Sequence, residues 1–138
     1  ARRFNLEART RSSRTNDGNV LILDTIGELS FCYNLARLAF VGGSLVACGG
    51  HNPIEPAACG VPVLFGNHME DFSEIAHELR NCGGAKTVTR RTLVQTAADI
   101  LTSDESHDGM SRAGKSLVAR HRGGVARHIQ AIHRLLQM

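Results

Sequence analysis

The chain has 138 residues, of which 42% are hydrophobic and 21% are charged, a composition typical of one globular domain and not of a disordered chain. It has no apolar run near the roughly 20 residues that span a bilayer and no signal-peptide pattern, so we expect the chain as given to be soluble. Its net charge is only +3, with one tyrosine and no tryptophan, which argues against a nucleic-acid partner.

The four cysteines, Cys32, Cys48, Cys59 and Cys82, form neither a CxxC pair nor a zinc-like group with the seven histidines. Cys32 and Cys59 lie in apolar stretches with helical periodicity, where free buried thiols are common. We therefore expect a reducing compartment and no metal site. Because the chain begins with Ala1 and not with Met, we also expect it to be part of a longer protein.

Short apolar runs alternate with helical patterns along the chain, which is the rhythm of βαβ units on a parallel sheet. The predicted strands are Val20–Leu23, Leu38–Val41, Val61–Gly66 and Ala85–Val88, with Phe4–Thr10 as a further candidate. The predicted helices lie at about 25–36, 52–60, 71–81, 92–101, 105–122 and 125–136. The expected fold class is α/β, a Rossmann-like parallel sheet with flanking helices, and Leu38–Val41 is expected to be fully buried.

Three helix starts have the spacing of a capping box, in which a polar side chain and a glutamate three residues later satisfy free N–H groups. They are Thr25–Glu28, Asn52–Glu55 and Asp71–Glu74. In the second box, Pro53 is expected at the first helical position, where its missing N–H costs no hydrogen bond because that position has no intrahelical acceptor. Gly60 is expected to end the helix.

Ligands of open parallel sheets bind beyond the carboxyl ends of the strands, so the loops after Leu23, Val41 and Leu64 are expected to line one cleft. Glycines before a helix leave unpaired N–H groups at its positive end, and these bind phosphate. The segments 42–44 and 49–52 are therefore a candidate phosphate cradle. Glycine pairs also serve tight turns and close packing, and that alternative stays open.

Individual side chains have two interpretations each. Glu55 either stabilises its helix start or accepts the hydroxyls of a ribose, and His51 is either an exposed loop residue or a phosphate donor. Glu28 is first of all a capping residue, and His68 on the third loop could touch substrate. Ser44 has an exposed loop setting, but it lacks a GxSxG context and an adjacent base. The GxxxxGK[ST] phosphate loop is absent, and no catalytic base is evident.

The run from Phe40 to Gly66, FVGGSLVACGGHNPIEPAACGVPVLFG, resembles the donor-binding signature of transferases of Kdo, 3-deoxy-D-manno-octulosonic acid. The segment DTIGEL at Asp24–Leu29 resembles the second motif of the same family's C-terminal domain. The resemblance implies that residues 1–138 form one nucleotide-sugar-binding domain, the C-terminal half of a GT-B glycosyltransferase of family GT30. The N-terminal acceptor domain is expected to be missing.

The resemblance further implies the transfer of Kdo from CMP-Kdo to lipid IVA, a lipid A precursor, with inversion, in lipopolysaccharide biosynthesis. No cofactor or metal is implied. The base is expected in the missing domain, so the isolated chain should be inactive. That domain is also expected to contact the membrane, which places the full-length enzyme at the cytoplasmic face of the bacterial inner membrane.

By position, the resemblance assigns nucleotide-sugar binding to nine residues: Gly27, Glu28, Gly43, Ser44, Gly49, Gly50, His51, Asn52 and Glu55. One departure from the family pattern is Ala47-Cys48, where members usually carry proline followed by a basic residue. This removes an expected charged contact to the phosphate or to the Kdo carboxylate, for which a neighbouring arginine is the candidate substitute.

Two other functions are compatible with the residues alone. A GT-B enzyme or epimerase that uses a UDP-sugar would prefer uracil nucleotides. A nucleotide-binding module without catalytic activity would bind but never transfer.

Overall fold

A computed structural model describes residues 8–10 and 20–121. The strands are β1 Ala8–Thr10, β2 Val20–Ile22, β3 Ala39–Phe40, β4 Val63–Phe65 and β5 Ala85–Thr87. The helices are α1 Leu29–Tyr33, α2 Ile54–Ala58, α3 Ser73–Asn81, α4 Leu93–Thr102 and α5 Asp104–His121, and a short 3-10 turn, Glu70–Phe72, precedes α3. The predicted order of strands and helices is confirmed across this part of the chain, whereas the helix predicted at 125–136 lies outside it.

Every described strand pair is parallel, as predicted, but the strands form two sheets. One sheet has the order β3-β4-β5, and β1 and β2 form a separate pair in which Ala8 aligns with Val20. The loop after Leu23, predicted to line one cleft with the loops after Val41 and Leu64, thus follows a strand of the separate pair and not of the three-stranded sheet. The hydrogen bonds of β3 run to β4, from Ala39 N to Pro62 O at 3.0 Å and from Val41 N to Leu64 O at 2.8 Å.

The central strand β4 organises the core because each of its three residues is buried. Successive side chains of a strand point to opposite faces, and the two faces of β4 belong to two apolar clusters. Val63 and Phe65 pack with residues of α2, α3 and α5, whereas Leu64 packs with Val88 and Ile100. Helices thus cover both faces of the three-stranded sheet, as the Rossmann-like prediction requires.

The strand β3 is less buried than predicted. Phe40 is 41% exposed, and only Val41, directly after the strand, is buried. Because β3 is at the edge of the three-stranded sheet, it has β4 on one side only. Its exposed side contributes to the cleft described below.

The first two predicted capping boxes are only partly correct. Thr25 Oγ1 donates to the Glu28 carboxylate and not to a backbone group, and α1 begins one residue after Glu28. At α2 the N-cap position is Pro53, one residue later than predicted, and the amide oxygen of Asn52 accepts from Ile54 N at 2.9 Å, so Asn52 bonds the first N–H of the helix from just outside it. Its partner Glu55 does not cap the backbone, since Glu55 Oε1 accepts from Asn52 Nδ2 at 3.4 Å.

The third box is wrong. Asp71 lies inside the 3-10 turn, and α3 begins at Ser73 without a side-chain cap. The reason is a contact with the glycine loop, because Asp71 N donates to Gly49 O at 3.2 Å. The predicted end of α2 is confirmed: Gly60 has φ +78°, and its N–H donates to Ala57 O at 3.0 Å.

Candidate functional site

A cleft of about 440 Å³ opens between α1, the edge strand β3 and the start of α2. Three segments line it: Leu29, Cys32, Tyr33 and Ala36; Leu38, Ala39, Phe40, Val41 and Gly42; and His51, Asn52 and Pro56. Gly42 marks the carboxyl end of β3, so the cleft has the position that ligand sites take in parallel sheets. The glycine loop, residues 42–50, and the start of α2 meet at its mouth.

The wall on the α1 side is apolar. Leu29, Cys32 and Tyr33 are spaced i, i+3 and i+4, which places them on one face of α1, and Ala36 follows just after the helix. Tyr33 and Phe40 were not predicted as cleft residues, although the spacing in α1 identifies the face that carries Tyr33. An aromatic pair beside an open cleft suits the planar base of a nucleotide.

The phenol of Tyr33 is affected by its place in this wall. Burial raises the pKa of Tyr33 above its ordinary value of 10.0, and the negative charge of Glu55 is the next largest cause of the increase. Glu55 therefore lies near the cleft even though its exposed side chain is not part of the lining.

The polar mouth of the cleft is formed by His51 and Asn52. His51 is exposed, and its ring lies against Gly42, 3.5 Å from where a Cβ would stand on that glycine. The backbone N–H groups of Gly42 and His51 donate to no other described residue. Unpaired N–H groups beside a histidine and an amide can bind the oxygens of a phosphate or a sugar.

The candidate phosphate cradle has a shorter helix behind it than predicted. The helix α2 has only five residues, and its first N–H, that of Ile54, is already bonded to the Asn52 side chain. The cradle therefore consists of loop N–H groups and side chains, without a long helix behind it.

Comparison with known proteins gives the family. No protein-family model matches the chain. It is 35% identical over 98% of its length to a 3-deoxy-D-manno-octulosonic acid transferase of Haemophilus influenzae, and 36% identical over 83% of its length to one of Bordetella pertussis. A crystal structure of the C-terminal CMP-Kdo binding domain of WaaA from Acinetobacter baumannii matches with a TM-score of 0.75 and 28% identity, covering 83% of this chain and 62% of that one.

The chain belongs to the Kdo transferase family. It spans 32% and 27% of the length of the two curated relatives, and its structural counterpart is their family's C-terminal domain. The resemblance of the Phe40–Gly66 run is thus confirmed, and the fold is that of the C-terminal half of a GT-B transferase.

Of the nine residues assigned by resemblance to the Kdo transferases, only His51 and Asn52 line the cleft, and Glu55 lies beside it. Gly27 and Glu28 do not line it, although Leu29, the next residue of the DTIGEL motif, does. Gly27 is exposed, with φ +89° and nothing within 4 Å of where a Cβ would stand, so its visible role is to turn the chain into α1.

Ser44 is buried and contributes to the fold and not to the lining of the cleft. The expectation of an exposed loop residue is wrong, since Ser44 has 0% of its surface exposed. Its hydroxyl donates to Val41 O at 2.6 Å and accepts from Gly66 N at 2.8 Å. The side chain therefore holds the glycine loop in place from beneath.

The glycines behind the mouth also pack closely. Gly43, Gly49 and Gly50 all have positive φ, between +69° and +76°. A Cβ on Gly49 would come within 2.3 Å of the Asp71 carboxylate, and one on Gly50 within 2.5 Å of Met69 Sδ. The alternative of tight turns and close packing accounts for these three glycines, which support the mouth without lining the cleft.

A second hollow, of about 260 Å³, lies beyond β4 and includes Glu70, His77 and Arg80. His68, the histidine of the third loop, is outside it and bonds Glu70 Oε1 through Nδ1 at 3.0 Å. The pKa of Glu70 is lowered, first by a hydrogen bond to its own backbone and next by the bond to His68. His68 is thus part of the sheet edge but not of the main cleft.

The described residues contain no group of three or more metal-ligating side chains and no helix long and apolar enough to cross a membrane. All four cysteines are unpaired thiols, with Cys32 and Cys59 half-buried and Cys48 exposed.

Proposed function

We propose that this chain is the donor-binding half of an enzyme that transfers Kdo from CMP-Kdo to lipid IVA in lipopolysaccharide biosynthesis, with inversion. The single observation that carries the proposal is the cleft whose apolar wall holds Tyr33 and whose mouth holds His51 and Asn52. The names of the relatives, all transferases of Kdo, and the structural likeness to a CMP-Kdo binding domain support the same assignment.

The lining suggests how a cytidine nucleotide would lie. The base would pack against the apolar wall beside Tyr33 and Phe40, since aromatic faces stack on planar bases. The ribose hydroxyls would reach Glu55, and the phosphate would meet His51, Asn52 and the free N–H of Gly42. The departing phosphate would be stabilised by the same groups that bind it in the ground state.

The remaining parts of the reaction belong to the rest of the protein. The chain spans about a third or less of the two curated relatives, so we propose that the acceptor site, the carboxylate base and the membrane contact lie in an N-terminal domain. The full-length enzyme would then work at the cytoplasmic face of the inner membrane, without a metal or cofactor. The isolated chain would bind donor but not transfer it.

The test is a calorimetric titration of the full-length enzyme with CMP and with UMP. We expect CMP to bind more tightly than UMP, and both nucleotides to bind more weakly in Asn52→Ala, which loses both the amide and its bond to Ile54. Glu55→Gln keeps the size of the side chain and tests the ribose contact. Glu105→Gln, an exposed glutamate in the first turn of α5, is the matched control.

A preference for UMP would instead favour an enzyme that uses a UDP-sugar. Binding of CMP by a full-length protein that never transfers Kdo would favour the non-catalytic module. If neither nucleotide bound the wild type, the donor-site proposal would be wrong.

A further inference from the structure

The loops after β3 and β4, at the carboxyl edge of the three-stranded sheet, lack fixed positive charge. Between Arg37 and Arg80 the sequence contains no lysine or arginine. The glycine loop and the loop after β4, residues 66–70, both fall in this stretch. A substrate with phosphate and carboxylate groups is anionic, so any cation that this sheet edge offers to it comes from outside this stretch.

The loop after β5 supplies one. A hollow of about 190 Å³ is lined by Leu45, Asn67, His68, Val88, Thr89 and Arg90. These residues come from the glycine loop, the loop after β4 and the loop after β5, so three loops of one sheet edge converge there. The exposed Arg90 makes no hydrogen bond or ion pair with any other described residue.

The backbone that carries Arg90 is firmly held. Val88 is buried, and its N–H donates to Phe65 O at 2.8 Å. Thr89 N donates to Thr92 Oγ1 at 2.9 Å, and Thr92 N donates to Thr89 Oγ1 at 3.3 Å. Arg90 therefore projects from a fixed turn, which reduces the ordering that a bound ligand would require.

The other arginines near this edge are less suited. Arg80 Nη2 is 3.0 Å from His77 Nδ1, and Arg80 lines the separate hollow beyond β4. Arg91 is adjacent in sequence and also exposed, but it does not line the hollow with Leu45 and His68.

We propose that the hollow containing Arg90 is an anion subsite that takes a phosphate or carboxylate group of a substrate. The guanidinium would bind two oxygens of the group at once, and the Asn67 amide would add a donor. The inference rests on the proposed function, and it provides a cation from the loop after β5 at the hollow that Leu45 of the glycine loop also lines.

The anionic group has two sources, the donor or the acceptor, and binding measurements on the full-length enzyme separate them. Arg90→Gln is compared with Arg91→Gln, which removes the same charge one residue away. Dissociation constants for CMP and for CMP-Kdo and the KM for the acceptor are measured for each variant, after unchanged melting temperatures show that both are folded.

If the group belongs to the Kdo carboxylate, Arg90→Gln weakens CMP-Kdo binding about tenfold and leaves CMP binding within about twofold. If it belongs to the donor phosphate, CMP and CMP-Kdo weaken together. If it belongs to the acceptor, only the acceptor KM increases. In each case Arg91→Gln has little effect, and Arg90→Lys recovers part of the loss because it restores the charge without the planar fork.

The proposal is overturned if Arg90→Gln behaves like Arg91→Gln in all three measurements. A wild-type enzyme that binds neither CMP nor CMP-Kdo is a different result, because it removes the donor-site proposal on which this one rests.

Discussion

The Ser44 hydroxyl ties the glycine loop to Gly66, the first residue after β4. It donates to Val41 O at 2.6 Å and accepts from Gly66 N at 2.8 Å, while Ser44 O accepts from His68 N at 2.9 Å. The two backbones approach so closely that a Cβ on Gly66 would lie 2.0 Å from Ser44 O. The loops after β3 and β4 are therefore fixed to each other at the edge of the sheet.

We expect Ser44→Ala to reduce the free energy of unfolding by about 1–3 kcal/mol, because it leaves the buried Gly66 N–H without an acceptor. Urea unfolding of the 138-residue chain measures the change. Ser116→Ala, at an exposed position of α5, is the control and should change stability by less than about 0.5 kcal/mol. Equal effects of the two substitutions would show that the Ser44 bonds contribute nothing net.

The close contact between Gly49 and Asp71 gives a second prediction. Gly49→Ala should destabilise the chain by about 1–3 kcal/mol, because a side chain at φ +75° is strained and its Cβ would meet the Asp71 carboxylate at 2.3 Å. Adding Asp71→Ala should recover the steric part of the loss and leave the backbone part. Thermal unfolding of the single and double variants separates the two contributions.

The control for Gly49 is Gly109, in the middle of α5, where nothing lies within 4 Å of an added Cβ. Gly109→Ala should stabilise the chain by about 0.5–1 kcal/mol, since alanine is the better helix former. A Gly49→Ala variant as stable as Gly109→Ala would mean that the loop can relax around the new side chain.

The pattern of apolar residues predicted the fold well because that pattern reflects which residues are buried. The run Val63–Phe65 is buried on both faces, and its β-branched and large side chains predict such a strand without further information. Gly60 was predictable as the end of α2 because glycine adopts positive φ without strain.

Capping and the site were harder to predict, because they depend on contacts between distant segments. Asp71 has the spacing of a helix cap, but its N–H bonds to Gly49, 22 positions earlier in the chain. Ser44 has the sequence of an exposed loop residue, and only the approach of Gly66 shows that it is buried. Neither contact can be inferred from the spacing of residues within a local motif.

The difference between core and surface leucines gives a third prediction. Leu64 has 0% of its surface exposed and packs with Val88 and Ile100, whereas Leu35 is 89% exposed. We expect Leu64→Ala to reduce stability by about 2–5 kcal/mol through lost burial and a cavity, and Leu35→Ala by less than about 0.5 kcal/mol. Chemical denaturation of both variants measures the contrast, and similar losses would contradict the packing around β4.

The ionisation of Tyr33 gives the last prediction, and the chain is well suited to it because Tyr33 is its one tyrosine and it has no tryptophan. Burial, followed by the charge of Glu55, raises the pKa of Tyr33 above 10.0, so the tyrosinate absorbance should develop above that pH. Because the folded-state pKa is raised, the stabilising contribution of the neutral phenol is complete below pH 10.0 and is lost as the pH increases through the folded-state value. Tyr33→Phe should remove this alkaline loss.

The contribution of Glu55 can be isolated in the same titration. Glu55→Gln removes the nearby negative charge and should move the Tyr33 midpoint down toward 10.0, whereas Glu105→Gln should leave it unchanged. Added CMP should move the midpoint up, because a bound phosphate at the mouth of the cleft brings another negative charge toward the phenol. If CMP bound to the chain and left the midpoint where it was, the nucleotide would lie away from Tyr33, and the cleft between α1 and α2 would not be the donor site.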